Sequence, residues 1–106
     1  MKEETFVLEI ATSDFETTKS AVEGGADRIE LCANLNEGGT TPCYGTIYQC
    51  RERFDVLLYP IIRPRGGDFL YTDDEYEIMC DHIDDLPSCR ICYCPENISS
   101  HFYPIV

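Results

Sequence analysis

Basic residues are scarce in this sequence: 8 Lys and Arg stand against 20 Asp and Glu, for a formal net charge of −12 at pH 7. A surface with this charge repels phosphate backbones, which argues against nucleic acid as a partner. No apolar run is long enough to span a membrane, and "MKEETFVLEIATSDFE" at the N-terminus lacks the apolar core of a signal peptide. The sequence therefore predicts a cytoplasmic protein that binds neither nucleic acid nor membrane.

Motifs of several large enzyme classes are also missing. The sequence has no G-x-S-x-G nucleophile elbow and no H-E-x-x-H metal motif. The glycine stretches "NEGGTTP" and "RPRGGD" leave room for backbone N–H groups to bind an anion, but no Gly-Lys-Ser/Thr follows them as in a P-loop. Tight turns between strand and helix explain the same glycines. These absences leave the question of an enzyme open and favour a protein without catalytic activity.

Cysteine is abundant, with seven in 106 residues. An odd number without a secretory signal predicts free thiols in a reducing compartment, with metal binding as the alternative. Three cysteines, Cys89, Cys92 and Cys94, lie close together in "CRICYC", and C-x-x-C is a chelating spacing. No second C-x-x-C accompanies them, so they form only a secondary metal candidate.

Three apolar, β-prone runs are each followed by a helical pattern. The runs are "TFVLEIAT", "ADRIELCA" and "VLLYPIIRP", and the first is expected to be buried on both faces. Short connections between alternating strands and helices predict a parallel sheet covered by helices. The fold class is therefore α/β, either a doubly wound sheet or part of a (β/α)8 barrel.

Capping signals mark where the helices begin. Ser13 with Glu16, and Thr72 with Glu75, have the spacing of a capping box. Thr41 and Pro42 suit the N-cap and first turn of the second helix, which is predicted to run to about Phe54. The third helix is predicted to stop at Pro87.

Charged residues follow the carboxyl ends of the predicted strands, where parallel α/β folds bind their ligands. The set comprises two acids from the first two strands and three residues of "IIRPRGGDF", namely Glu9, Glu30, Arg63, Arg65 and Asp68. We expect Arg63 and Arg65 to meet Glu9 and Glu30 at one rim and to form a pocket for a small polar ligand. The alternative is an ion-pair network that only holds the rim together.

Two long stretches, "GGADRIELCANLNEGGTTPCYG" and "PIIRPRGGDFLYTDDE", resemble the CutC family of copper-homeostasis proteins. The resemblance covers roughly residues 6 to 85 and implies a partial (β/α)8 barrel of about three βα units, whereas a full barrel has roughly 250 residues. It divides the chain into a partial CutC-like domain, residues 1–86, and a divergent, Cys-rich tail, residues 87–106.

The resemblance implies a cytoplasmic protein that binds copper as Cu(I). It assigns Cys32 to a family cysteine proposed as a copper ligand, and it places the five rim residues around the central pocket. Many family members have a second cysteine at the end of the first strand, where this chain has Ala11. Cys43 is a speculative substitute. Two alternatives stay open: a TIM-barrel enzyme of unknown substrate, and a truncated chain without activity of its own.

Three strands cannot close a barrel, so the third strand is expected to expose its outer edge. Exposed edges and apolar faces promote association. The sequence therefore predicts marginal stability or a homo-oligomer formed through this edge.

Overall fold

The computed structural model describes residues 6–85, in which parallel strands alternate with α-helices. A short 3-10 helix, Leu35–Glu37, interrupts the loop after the second strand. In chain order the elements are β1 (Glu9–Thr12), α1 (Phe15–Glu23), β2 (Arg28–Leu31), α2 (Tyr44–Arg53), β3 (Leu57–Pro60) and α3 (Asp73–Asp85). None of the described helices is both long and apolar enough to cross a bilayer.

The strands form one parallel sheet in the order β1-β2-β3, as the sequence predicts. Ile10 lies beside Ile29, which lies beside Leu58, and the next row is Ala11, Glu30 and Tyr59. Because successive side chains of a strand point to opposite sides, these two rows occupy opposite faces of the sheet. We call them the helix face, which carries Ile29 and Leu58, and the inner face, which carries Glu30 and Tyr59.

The hydrophobic core lies between the helix face and the first two helices. Its buried members are Ala21 of α1, Ile47 and Cys50 of α2, and the strand residues Ile29, Leu31 and Leu58. A second, smaller cluster joins Met79 of α3 to Ile62, just beyond β3. The helices thus attach to the sheet through the apolar residues that their sequence periodicity selects.

The cap of α1 differs from the predicted one by a single residue. Asp14, not Ser13, is the N-cap: its Oδ1 accepts a hydrogen bond from the backbone N–H of Thr17 at 2.8 Å. The Thr17 hydroxyl accepts in return from the Asp14 N–H at 3.2 Å, which completes a capping box without Glu16. The prediction was wrong because both Ser13 and Asp14 are good caps, and the extended backbone of Asp14 decides between them.

The second helix begins at Tyr44 with Cys43 as its N-cap, so the predicted start at Thr41 and Pro42 was wrong. Thr41 is engaged elsewhere: its N–H donates to the Arg63 carbonyl at 2.9 Å, and its hydroxyl accepts from the Arg63 N–H at 2.7 Å. These bonds hold Thr41 beside the end of β3.

The capping box of α3 is confirmed. The Glu75 N–H donates to the Thr72 hydroxyl at 3.1 Å, and the Thr72 N–H donates to Glu75 Oε1 at 3.0 Å. The predicted stop at Pro87 lies outside the described residues.

The first strand is less buried than its apolar sequence predicts. Phe6, Val7 and Leu8 are 69%, 55% and 45% exposed and precede the four paired residues of β1. Within residues 6–85, β1 pairs only with β2, and β3 also pairs only with β2. The expectation of burial on both faces was therefore wrong for this part of the chain, because Glu9 and Ala11, on one face of β1, are exposed within residues 6–85.

Candidate functional site

The inner face carries a column of polar side chains along β1 and β2. Arg28 and Glu30 alternate with the buried Ile29 and Leu31, and Cys32 follows one residue beyond the strand. The parallel ladder continues past the strand ends, since Cys32 N–H donates to the Thr12 carbonyl at 2.9 Å and Ile61 N–H to the Leu31 carbonyl at 3.0 Å. Cys32 therefore lies at the carboxyl end of β2, where parallel α/β folds place ligands.

Glu9 forms its ion pair with Arg28, at 3.1 Å between Glu9 Oε2 and Arg28 Nε. The Arg28 guanidinium also lies over the ring of Tyr59, 5.3 Å from its centre. The side chains of Glu9 and Arg28 are about one-third exposed, so water screens the pair. The predicted position of Glu9 at the carboxyl rim was wrong, because Glu9 opens β1 at the amino end of the sheet. Its predicted partners, Arg63 and Arg65, are bound elsewhere.

Glu30 is half-buried on the inner face, two residues along β2 from Arg28, the partner of Glu9. Within residues 6–85 its carboxylate has no hydrogen-bond or ion-pair partner. Burial, and secondarily the charge of Glu9, raise the pKa of the Glu30 carboxyl above its usual range.

Cys32 is 2% exposed and lies beneath Gly39. A Cβ atom placed on Gly39 would make an ordinary contact with Cys32 Sγ at 3.4 Å, so glycine is favoured here by its positive φ of 96°. Burial first, and then the nearby carboxylates of Glu30 and Glu9, raise the pKa of the Cys32 thiol to about 12. The group is therefore a protonated thiol at neutral pH, whose S–H points to the Glu30 carbonyl oxygen at 3.7 Å.

Arg63 is only 5% exposed and binds backbone carbonyls. Its Nη1 donates to the carbonyls of Glu37 at 2.7 Å and Gly39 at 2.8 Å, and its Nη2 donates to that of Gly67 at 2.9 Å. The guanidinium also lies over the ring of Phe69, 4.9 Å from its centre. Arg63 thus joins two loops of the rim. The predicted contacts of Arg63 with Glu9 and Glu30 are absent from residues 6–85.

Arg65 stabilises the loop after β3 by hydrogen bonds to the carbonyls of that loop. It forms a two-bond ion pair with Glu75, at 2.7 Å from Nε to Oε2 and 3.1 Å from Nη2 to Oε1, and a second pair with Asp68 at 3.3 Å. The Arg65 guanidinium, followed by the Thr72 N–H, lowers the pKa of the Glu75 carboxyl below its usual range. The predicted contacts of Arg65 with Glu9 and Glu30 are absent from residues 6–85, and Asp68 and Glu75 take their place.

Sequence reasoning missed Glu75 as a rim residue. The residue was assigned to the helix cap alone, and its position ten residues after Arg65 gave no sign of the ion pair. Gly39 and the Glu37 carbonyl were missed because backbone groups carry no chemical signature in a sequence. The glycine pair in "NEGG" was the available sign in the sequence that backbone groups of this loop take part in the site.

The described cysteines Cys32, Cys43, Cys50 and Cys80 are all free thiols. Cys43 is exposed at the start of α2, where a hydrogen bond with the Thr46 hydroxyl lowers the pKa of its thiol. No group of three or more His, Cys, Asp or Glu residues within 6–85 could hold a metal ion. The other metal candidates, Cys89, Cys92 and Cys94, lie outside the described residues.

The CutC family model matches residues 6–91 of the sequence. The chain belongs to the CutC family. A family protein CutC of Chromobacterium violaceum is 49% identical over 84 residues, which is 79% of this chain and 33% of the relative. The human copper homeostasis protein cutC homolog is 47% identical over 74 residues, which is 70% of this chain and 27% of the relative.

A solved CutC structure from Streptococcus agalactiae shares the fold with a TM-score of 0.67 and 34% identity. It matches 74% of this chain, and the matched part is 39% of the solved chain. The predicted α/β architecture of parallel βα units, a partial (β/α)8 barrel, is thereby confirmed. This CutC-family chain spans about a third of the curated relatives it matches, so the activity of a whole barrel is a matter for proposal.

Proposed function

We propose that this CutC-family chain takes part in copper handling in the cytoplasm and that the sulfur of Cys32 is a ligand for Cu(I). The observation that carries the proposal is the position of Cys32, on the inner face at the carboxyl end of β2. Ligand sites of parallel barrels lie at this end, and a thiolate is a ligand that Cu(I) prefers. The copper-homeostasis name of the human relative supports the same cargo.

The Cys32 thiol must lose its proton to bind the metal. A coordinated cation displaces the proton of a thiol, so Cu(I) binding at Cys32 should release one proton. Residues 6–85 hold no group of three metal-binding side chains, so a site with three or more ligands would need one from outside them. Cys89, Cys92 and Cys94 are the candidates that the sequence offers.

Titration of the full chain with Cu(I), against a competing chelator of known affinity, tests this assignment. We expect Cys32→Ser to weaken binding by at least ~10-fold, because a direct ligand matters at least as much as its supporting shell. Cys50→Ser is the matched control, since Cys50 is equally buried but packs on the helix face. A third variant with Cys89, Cys92 and Cys94 all changed to Ser shows whether those thiols contribute.

Unchanged affinity in the Cys32→Ser protein would reject Cys32 as a ligand. Equal losses in the Cys32 and Cys50 variants would point to unfolding and would also contradict the assignment.

A second candidate is a barrel enzyme of unidentified substrate. The half-buried Glu30 carboxylate favours it, because this acid faces the inner side of the sheet without a hydrogen-bond partner in residues 6–85. A carboxylate in such a position can bind a polar substrate or transfer a proton. Thermal-shift screening with small polar metabolites tests it: a stabilising metabolite should lose its effect in the Glu30→Gln variant. Stabilisation that persists in Glu30→Gln would exclude this use of Glu30.

We also propose that the chain forms a homo-oligomer through the β3 edge. Leu57, at the start of β3, is 44% exposed, and β3 pairs only with β2 within residues 6–85. Light scattering after size exclusion should give a mass above 12.1 kDa at high concentration. A strictly monomeric chain would reject this proposal.

A further inference from the structure

The loop between β2 and α2, residues 32–43, folds back over the cysteine with which it begins. Ala33 and Thr40 exchange two backbone hydrogen bonds, at 2.8 and 2.7 Å, which close the loop like a small hairpin. Gly38 and Gly39 both have positive φ angles, 89° and 96°, which residues with side chains rarely adopt. This turn brings Gly39 next to the side chain of Cys32.

The closed loop is held from β3 by one residue. The guanidinium of Arg63 donates to the carbonyls of Glu37, Gly39 and Gly67, and we call these three bonds the Arg63 clasp. Two of them end on the β2–α2 loop, and the third ends on the loop after β3. The backbone of Arg63 adds the hydrogen bonds to Thr41 that fix the far end of the same loop.

The Arg63 guanidinium donates its hydrogen bonds to the carbonyls of the Arg63 clasp. Within residues 6–85 its guanidinium has no carboxylate partner, and its Nε is buried without an acceptor. Hydrogen bonds from a charged donor are roughly twice as strong as neutral ones. The buried guanidinium therefore stabilises the closed loop through these three bonds.

The position of Gly39 links the clasp to the candidate ligand. Arg63 Nη1 binds the Gly39 carbonyl at 2.8 Å, and Gly39 is a buried neighbour of the Cys32 side chain, since a Cβ added to it would contact Cys32 Sγ at 3.4 Å. Cys32 is 2% exposed, and a movement of Gly39 away from it breaks the bond to Arg63.

We propose that Arg63 is a positioning residue that keeps Gly39 over the Cys32 sulfur, so that opening of the Arg63 clasp controls the access of Cu(I) and other soft reagents to Cys32. The copper part of this inference rests on the proposed function. The control of access does not, because it concerns any thiol reagent.

A pulse of N-ethylmaleimide on the full chain, without copper, tests the inference when each cysteine is read separately by mass spectrometry. Arg63→Met removes the donors and keeps an unbranched apolar stem, and Arg63→Lys keeps the charge but not the three-way geometry. Arg65→Met is the matched control, because Arg65 binds carbonyls only within its own loop. Cys50 serves as an internal reporter, since it is buried in the helix-face core and reacts only when the domain unfolds.

We expect the labelling rate of Cys32 to rise by at least ~10-fold in Arg63→Met and by less in Arg63→Lys, with Cys50 unchanged, because loss of charge-assisted hydrogen bonds favours local opening. Arg65→Met should leave the ratio of Cys32 to Cys50 labelling at its original value. Cys32 and Cys50 rates that rise in parallel in both Arg63 variants, or that do not rise at all, would overturn the inference. Since copper is absent, these results stand apart from the Cu(I) titration: a controlled thiol that binds no copper would reject only the proposed function.

Discussion

The two faces of the sheet differ in how completely residues 6–85 cover them. On the helix face, Ile29, Leu31 and Leu58 are each 0% exposed under α1 and α2. On the inner face, Leu57 is 44% exposed and the Glu9–Arg28 pair is about one-third exposed, whereas Cys32 and Ile61, near the carboxyl end, are 2% exposed. Coverage of the inner face thus increases toward the rim.

The two faces differ in coverage because the helix face is packed by helices adjacent in sequence, whereas the inner face is not. A helix that follows its strand covers the neighbouring part of the helix face, so each βα unit completes that core as it is added. The inner face of a barrel is enclosed only by strands from distant units. Here only the rim is closed, because the β2–α2 loop and Arg63 close it from within the first units.

The largest expected effect concerns thiols on the two faces. The pKa of about 12 for Cys32, against an ordinary value of 9.0, reduces its thiolate fraction at neutral pH by about a thousandfold. The exposed Cys43 thiol, with its lowered pKa, should therefore react with N-ethylmaleimide about a thousandfold faster than Cys32, and Cys50 should also be slow. Site-resolved mass spectrometry measures all three. Similar rates for Cys32 and Cys43 would show that the rim is as open as the rest of the inner face.

Two adjacent leucines test the contrast in packing. Leu58→Ala should lower the free energy of unfolding by about 3 kcal/mol, because it leaves a cavity in the helix-face core. Leu57→Ala, one residue earlier on the inner face, should lower it by less than ~1 kcal/mol, because its side chain is already partly in water. Urea denaturation measures both variants. Equal losses would mean that the inner face is covered as completely as the helix face.

A smaller effect is expected at the helix caps. Thr72→Ala should destabilise the chain by about 1 kcal/mol, because the Glu75 N–H loses its acceptor. Ser13→Ala should change stability by less than ~0.5 kcal/mol, because Asp14 is the cap of α1. Thermal unfolding followed by circular dichroism distinguishes the two variants. A large loss of stability in Ser13→Ala would indicate that Ser13 caps α1, as the sequence first suggested.

The smallest effect is a pH dependence at the rim. The pKa of Glu75 is lowered in the folded chain, so its pair with Arg65 stabilises the fold above the unfolded pKa of about 4.5 and ceases to do so as pH falls through the folded value. Glu75→Gln should therefore be less stable than wild type near neutral pH, and the difference should vanish in acid. Glu77→Gln, at an exposed position of the same helix, is the control. A Glu75→Gln difference that does not depend on pH would contradict the role of the charge.

The sequence predicted the parts of the fold that depend on local patterns. The three apolar runs gave the strands, the Thr72–Glu75 spacing gave the start of α3, and the alternation gave the parallel order. The starts of α1 and α2 were wrong because two neighbouring caps compete in "SDFE", and because Thr41 bonds to Arg63, which lies 22 residues away.

For the candidate site, the sequence predicted some of the residue positions but not the contacts between side chains. Cys32 lies at the carboxyl end of β2, as expected, and Glu30 lies within β2 on the inner face, but Glu9 opens β1 at the amino end of the sheet. Their partners could not be derived, because arginine donors bind backbone carbonyls as readily as carboxylates and a sequence does not distinguish these acceptors. Arg63 and Glu9 were thus assigned to each other when each has a nearer partner.

The use of arginine on main-chain carbonyls has a consequence for the electrostatic field around the protein. Arg51, like Arg63, gives its hydrogen bonds to carbonyls, those of Phe54 and Val56, and neither pairs with a carboxylate within residues 6–85. Most acids of this part of the chain are exposed, and the whole chain has a net charge of −12. Such a field raises the local concentration of cations within a Debye length, about 8 Å at physiological ionic strength. Encounters with positively charged species should accordingly slow down as salt is added.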